Sequence, residues 1–283
     1  MLQKRLEHPN NSKFQISSLF GLMLIIAGTL FLVDSQLKTK WLTISIPTIL
    51  GLVLLVYGFL SGTKGWLIAG ALVTGIGFGS FFALQQLYVI PLTARFGYLL
   101  MFIAVGWLFV FSILGIFYQT TAWWALLCAS IFGSTAYSLL FDKVQVFSFV
   151  LSISLALGFV FLIWGWARKL LGLIIPGCIL MTTGPGITIA WSHVTSPQGL
   201  VETGVMLVWF ALGWLLITVF SRVIFKKFTW WPLIPGGVLG MVGWGLYIGG
   251  NPTNALGFVG NTGSIGLIIF GVYLLLLRFG MQK

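Results

Sequence analysis

Residues 96–118, FGYLLMFIAVGWLFVFSILGIFY, run for twenty-three positions without an acid, a base or a proline. A helix needs about 20 apolar residues to cross the ~30 Å hydrocarbon layer of a bilayer, and in lipid only a helix or a closed barrel satisfies its own backbone. The run therefore reads as a transmembrane helix. Nine further stretches read the same way, giving spans at 17–33, 41–61, 66–87, 96–118, 122–141, 144–166, 170–191, 201–221, 231–249 and 262–279. The expected fold class is all-α: a polytopic integral membrane protein of about ten transmembrane helices, with a polar cytoplasmic segment at 1–16 and a single transmembrane domain at 17–283.

Composition agrees. Hydrophobic residues make up 59% of the 283, charged residues 7%, and the mean hydropathy is +1.07, values outside the range of soluble domains. The net charge of +11 comes from 15 Lys and Arg against 4 Asp and Glu. These basic residues are scattered between apolar stretches and form no stripe, so the partners expected from charge are anionic lipid headgroups and not nucleic acid. Cys128 and Cys178 sit inside apolar stretches without a CxxC or a nearby histidine, and read as small apolar side chains. Lys4, Arg5 and Lys13 before the apolar run from Ser17 to Val33 look like a signal peptide, but the run is long and lacks a small-x-small site before Asp34. It reads as a retained first helix.

Placing Lys and Arg on alternating sides of the ten spans puts eleven on the N-terminal side: Lys4, Arg5, Lys13, Lys64, Arg168, Lys169, Arg222, Lys226, Lys227, Arg278 and Lys283. Only four, Lys38, Lys40, Arg95 and Lys143, fall on the other. The positive-inside rule then sets both termini in the cytoplasm. Trp41, Trp66, Trp123, Trp124, Trp191, Trp230 and Trp231 fall at span ends, where amphipathic rings prefer the interface.

The chain also matches itself. At an ungapped offset of 107, Gly70, Gly77, Gly79, Ala83, Gly97, Ala104, Gly106 and Trp107 fall on Gly177, Gly184, Gly186, Ala190, Gly204, Ala211, Gly213 and Trp214. At an offset of 59, Ile175, Pro176, Gly177, Gly184 and Gly186 fall on Ile234, Pro235, Gly236, Gly243 and Gly245. The repeating unit expected is a two-helix hairpin, with copies at 66–118, 170–221 and 231–279 and a degenerate one at 122–166. Each offset moves the match by an even number of spans, so the copies share one orientation, unlike the inverted repeats of many transporters. Gly70 and Gly77 are seven residues apart and lie on nearly one helix face. Gly70, Gly77, Gly177, Gly236 and Gly243 are accordingly expected at close helix contacts, as small residues let backbones approach in lipid. Gly58 with Gly62, Gly236 with Gly240 and Gly245 with Gly249 are further small-residue pairs.

The most site-like segment is Thr182, Thr183, Gly184, Pro185 and Gly186, halfway along the seventh span. Proline removes a backbone donor and frees carbonyls, and broken helices at mid-membrane build the ion and substrate sites of many transporters. The matching positions, Gly77-Phe78-Gly79 and Gly243-Trp244-Gly245, lack the proline, which favours a structural kink over a ligand site. As a site it would need polar groups from elsewhere, with Thr74, Ser134 and Thr135 as candidates. Gly75-x-Gly77-x-Gly79 is no phosphate loop, lacking a preceding strand and a following lysine. His193 and Glu202 read as polar loop residues, and Gln85, Gln86 and Tyr88 as interfacial. No histidine falls inside a span, so imidazole ligation of haem is not open to the chain. No catalytic, cofactor or metal residue is expected, and no soluble substrate is evident.

The run Trp230-Trp231-Pro232-Leu233-Ile234-Pro235-Gly236-Gly237 resembles the Trp-Pro-x-x-x-Gly helix starts of small bacterial membrane proteins of the LiaI/LiaF-like envelope-stress type. That resemblance, over about two spans, implies a bacterial inner-membrane protein without an enzymatic domain. Ten spans with both ends inside also looks like the drug/metabolite transporter superfamily, whose two inverted five-helix halves find an echo only in Lys40 with Pro47 against Lys169 with Pro176. The function expected is a non-catalytic subunit or scaffold among other membrane subunits. The alternative is a transporter or channel for a neutral or lipid-like molecule, since ion coupling normally uses intramembrane charge.

Overall fold

The computed structural model describes residues 11–37, 41–85, 91–141, 146–192, 199–226, 228–249, 257 and 260–264. Among them the ordered elements are all helical: α1 (Asn11–Leu37), α2 (Trp41–Ser61), α3 (Lys64–Gln85), α4 (Leu92–Tyr118), α5 (Trp123–Phe141), α6 (Val146–Arg168), α7 (Leu171–Trp191), α8 (Leu200–Phe225) and α9 (Leu233–Gly249). Seven of them, α2 to α8, are long and apolar enough to cross a membrane. Within α1 and α9 the apolar segments Gly21–Leu37 and Leu233–Ile248 are shorter. The tenth expected span, 262–279, lies outside the described residues beyond Ser264.

Several helix ends run past the apolar stretches that announce them. α1 includes 11–16, part of the polar segment expected at 1–16, of which 1–10 lie outside the described residues. Nothing from Asn11 to Ile16 breaks a helix, because polarity alone does not. α6 and α8 continue through Arg168 and Arg222, cations in the last turn that complement the helix dipole. α4 and α8 stop where Gln119 (φ 48°) and Lys226 (φ 55°) turn left-handed and cap the helix. Gly62 (φ 65°) ends α2 in the same way, which makes it a turn residue and not the packing partner of Gly58 that the spacing implied.

The chain divides into two compact units, Met1–Ala136 and Tyr137–Lys283, with the division inside α5. In the first, α2 and α3 pack as an antiparallel pair through glycines supplied by both. Gly51 faces Thr74, Gly58 faces Leu67, Gly70 faces Leu55 and Gly77 faces Thr48, so each of these four receives a residue of the other helix. A Cβ on Gly70 would stand 2.5 Å from the Leu55 backbone nitrogen and one on Gly58 2.7 Å from that of Leu67. α4 joins α3 through Gly75, Gly79 and Gly106. Leu55, Leu67, Ala71, Val110, Ile113, Leu114, Ala122 and Ala125 form the core.

In the second unit α6 and α7 pair through Gly158 on Met181, Gly165 on Ile174, Gly177 on Leu162 and Gly184 on Ser154. α8 meets α7 through Gly186 on Trp209 and Gly213 on Thr182, and α9 meets α8 through Gly236 and Gly243. Ile174, Cys178 and Ile217, each 0% exposed, make the core, which places Cys178 as an apolar filler. A Cβ on Gly236 would lie 3.0 Å from Trp214 Cβ, a looser fit than at Gly177, where Leu162 Cγ lies at 2.9 Å and its backbone nitrogen at 3.0 Å.

Candidate functional site

The segment Thr182–Gly186 occupies the crossing of three helices. α7 runs through Pro176 and Pro185 as one continuous helix, so the unwinding that Pro185 invited does not occur. Packing holds it: Gly184 presses on Ser154 of α6, while Thr182 and Gly186 press on Gly213 and Trp209 of α8. Thr182, Gly184 and Gly186 are buried. The threonines do not serve the carbonyl that Pro185 releases. Thr182 Oγ1 donates to the Cys178 and Ile179 carbonyls at 3.2 and 3.1 Å, and Thr183 Oγ1 donates to Ile179 at 2.7 Å, all a turn earlier. Thr188 Oγ1 donates to Gly184 (2.9 Å) and to Phe147 of α6 (3.3 Å). Only the Thr188 bond to Phe147 joins two helices; the others run back along α7.

The hydroxyls expected to complete a mid-membrane site bond within their own helices. Thr74 Oγ1 donates to the Gly70 carbonyl at 2.7 Å, and Ser134 and Thr135 both donate to Ile131, at 3.1 and 2.8 Å. Pro185→Ala should restore the backbone donor to the Met181 carbonyl. We expect a higher unfolding temperature in detergent, since an interior proline costs a helix up to ~3 kcal/mol. A lower temperature would show that the ring itself is a packing element.

Two acids are placed where the sequence did not show them. Asp34, near the end of α1, is 4% exposed. The backbone N–H groups of Leu42 and Thr43 donate to its carboxylate at 3.4 and 3.1 Å, and the Thr43 hydroxyl donates to it as well. Those amides are orphan donors in the first turn of α2, so a carboxylate from the preceding helix caps α2 at its positive end. Glu202 lies in the first turn of α8 and is 2% exposed, so it is a buried helix residue and not the solvated loop residue expected. His193, Gln86 and Tyr88 lie outside the described residues, as does the side chain of Gln85.

In the first unit an apolar cavity of about 470 Å³ opens between α2, α3 and α4, walled by Leu52, Thr74, Phe78, Phe102, Val105 and Phe109. Phe82 and Phe102 stack at 5.0 Å and 14°, and Phe78 stacks on Phe102 at 6.2 Å and 23°, so three near-parallel rings make one wall. A second cavity of about 220 Å³, lined by Ser80, Leu92, Arg95, Phe96 and Leu99, lies at the α4 start. No residue of Thr182–Gly186 lines either cavity.

Among the described residues the ordered elements are all helical and seven helices are long and apolar enough to cross a membrane, which defines the class of this protein. Comparison with known families, with characterised proteins and with solved structures finds no match that narrows it.

Proposed function

We propose that the chain is a non-catalytic structural or interaction subunit of a bacterial inner-membrane assembly, crossing the membrane ten times with both termini cytoplasmic. The observation that carries this reading is the use made of Thr182–Gly186. The one segment with the composition of a transport site is engaged by α6 on one side and α8 on the other, its small residues filling helix crossings.

A repeated architecture accompanies the reading. The contacts of Gly51, Gly58, Gly70 and Gly77 in the first unit have counterparts 107 residues on in Gly158, Gly165, Gly177 and Gly184. Trp107 meets Trp124 edge-on at 5.3 Å, and Trp214 meets Trp231 edge-on at 5.8 Å, the same offset apart. Buried Leu67, Ala71 and Val110 correspond to buried Ile174, Cys178 and Ile217. These pairs favour a parallel repeat of four helices, within which the hairpins 66–118 and 170–221 are halves. That plan departs from the inverted halves of drug/metabolite transporters.

Two measurements test the proposal. Single cysteines near Met1 and Lys283 should resist an impermeant reagent added outside intact cells and react after lysis; labelling of either from outside removes the ten-span topology. Purification in mild detergent should bring down other membrane proteins in fixed stoichiometry. The second reading, transport of a neutral or lipid-like molecule, is favoured by the apolar cavity in the first unit, and a monodisperse lone chain that moves such a molecule across vesicles would replace the first.

A further inference from the structure

We propose that the small pocket between the end of α3 and the start of α4 holds the phosphate headgroup of one anionic phospholipid, bound by Arg95 and Ser80. The inference stands whether the chain is a subunit or a transporter. It concerns the smaller cavity of the first unit alone, about 220 Å³ lined among others by Ser80, Leu84, Leu92, Arg95, Phe96 and Leu99. A Cβ on Gly79 would stand 2.9 Å from Leu99 Cα, so neighbouring Ser80 lies level with Leu99. Arg95 is one turn, about 6 Å, nearer the start of α4. The 27 residues of α4 make about 40 Å of helix against a hydrocarbon layer of about 30 Å, so its first turn, with Arg95, reaches headgroup depth. Leu84, Leu92 and Phe96 are 41, 65 and 56% exposed, and the mouth they form opens to the bilayer.

The polar groups of this pocket suit a phosphate. A guanidinium is a planar fork of five N–H donors that matches phosphate oxygens in pairs. Arg95 has another interaction within the protein, and five donors allow it to keep that contact and hold a phosphate. Ser112, Ser130 and Ser134 return their hydroxyls to carbonyls of their own helices, whereas among the described residues Ser80 makes no such bond and has a donor to give. No acid among the described residues lines the pocket, so an anionic headgroup meets only attraction and a headgroup ammonium finds no partner. The other walls are apolar, which fits the glycerol and first chain carbons of a lipid and not a free, hydrated phosphate.

The second unit is built differently at the corresponding place. Ser80, Leu84 and Arg95 fall, 107 residues on, on Ile187, Trp191 and Glu202. A Cβ on Gly199, which stands where Leu92 does, would lie 3.2 Å from the Trp191 ring, so tryptophan covers what leucine leaves open. Glu202 is 2% exposed and carries the charge that repels phosphate. The hydroxyl, the cation and the open wall occur together in one copy and are all replaced in the other, which ties the three to one ligand. This comparison rests on the repeat proposed above; the pocket itself does not.

The test is native mass spectrometry of the full-length protein, purified in mild detergent and supplied with equal phosphatidylglycerol and phosphatidylethanolamine, then with inorganic phosphate as a competitor. One phosphatidylglycerol per chain should be retained about five-fold over phosphatidylethanolamine, the effect of one cationic contact at a membrane surface. Inorganic phosphate should not displace it. Arg95→Gln should erase the preference, and Arg95→Lys should recover most of it. Leu84→Trp, which copies Trp191 at an exposed rim position, should expel the lipid with Arg95 intact, and an unchanged unfolding temperature in that variant shows the fold is preserved. Where that temperature falls, the two Arg95 variants decide alone. Equal retention of the two lipids, or retention that ignores the substitutions, would mean ordinary boundary lipid and overturn the site. Displacement by inorganic phosphate overturns it too, in favour of a soluble anion.

Discussion

Gly77→Leu and Gly184→Leu should each abolish the stable fold of the unit that carries them. A Cβ at Gly77 meets the backbone nitrogen of Thr48, and one at Gly184 meets the Ser154 side chain. The Thr48 backbone cannot rotate out of the way, so α2 must part from α3; at Gly184 the Ser154 hydroxyl can turn aside but its Cβ, 2.9 Å from the added carbon, cannot, and the further atoms of a leucine force α6 from α7. Overpacking of a tight contact costs about 1–3 kcal/mol and often more where backbone is struck, a large share of the 5–15 kcal/mol that holds a typical domain. Gly172→Ala on α7 and Gly65→Ala on α3 are the controls, since nothing lies within 4 Å of a Cβ at either position. Alanine there should be neutral or stabilising by up to ~1 kcal/mol, from its better helix propensity. At Gly184 a milder variant adds a further check: Gly184→Ala should be rescued by Ser154→Gly, which removes the atoms it strikes. Unfolding temperatures in detergent read all of these, and equal losses at packed and open glycines would remove the close-contact argument.

Asp34→Leu should release α1. The carboxylate accepts two backbone N–H groups and the hydroxyl of Thr43 at the start of α2, and its removal leaves those part-buried donors without that partner. A fully buried donor left unsatisfied costs about 1–3 kcal/mol, so these part-buried ones together should cost roughly 1–3 kcal/mol, localised to the α1–α2 contact. Asp34→Asn, which keeps a carbonyl acceptor but not the charge, should lose about 1 kcal/mol by the scale of helix capping. Thr43→Val tests the hydroxyl alone. Limited proteolysis is the direct readout: cutting at 38–40 should accelerate in Asp34→Leu well before the rest of the chain unfolds. If the cutting rate does not change, α1 is held by its apolar contacts and the cap is incidental.

Among the described residues seven of the helices that stand at the expected spans are long and apolar enough to cross a membrane, and the physical reason is simple. A stretch such as 96–118 is apolar for long enough that no alternative satisfies its backbone in lipid. The ends were less legible. Hydropathy falls at the first charge, whereas a helix continues until a residue such as Lys169 or Lys226 turns left-handed. The glycines of α3, α7 and α9 could be picked out from the repeat. Gly51, Gly58, Gly158 and Gly165 were equally visible at the same offset, where Ser45, Leu50, Gly51, Val53, Leu55 and Gly58 fall on Ser152, Leu157, Gly158, Val160, Leu162 and Gly165. A repeat that begins at residue 66 leaves α2 and α6 out of register with one another, whereas the match starts one helix earlier.

The amino-acid sequence by itself determined that this protein is helical and that its helices suit a membrane, because both follow from the length and purity of apolar runs within single segments. It also marked the glycines as candidates for close approach. Which of them approach anything was decided only by the tertiary structure. Gly21 and Gly28 have nothing within 4 Å while Gly51 and Gly70 sit against a neighbouring backbone, although the four are chemically identical. The same holds for Thr182–Gly186, whose composition reads as a helix break, either a kink or a site, and whose neighbours on α6 and α8 make it a crossing point. Asp34 is the sharpest case: a charge at the end of a span looks interfacial until another helix brings its unpaired amides to it. Contact is a property of two segments, and no single segment carries it.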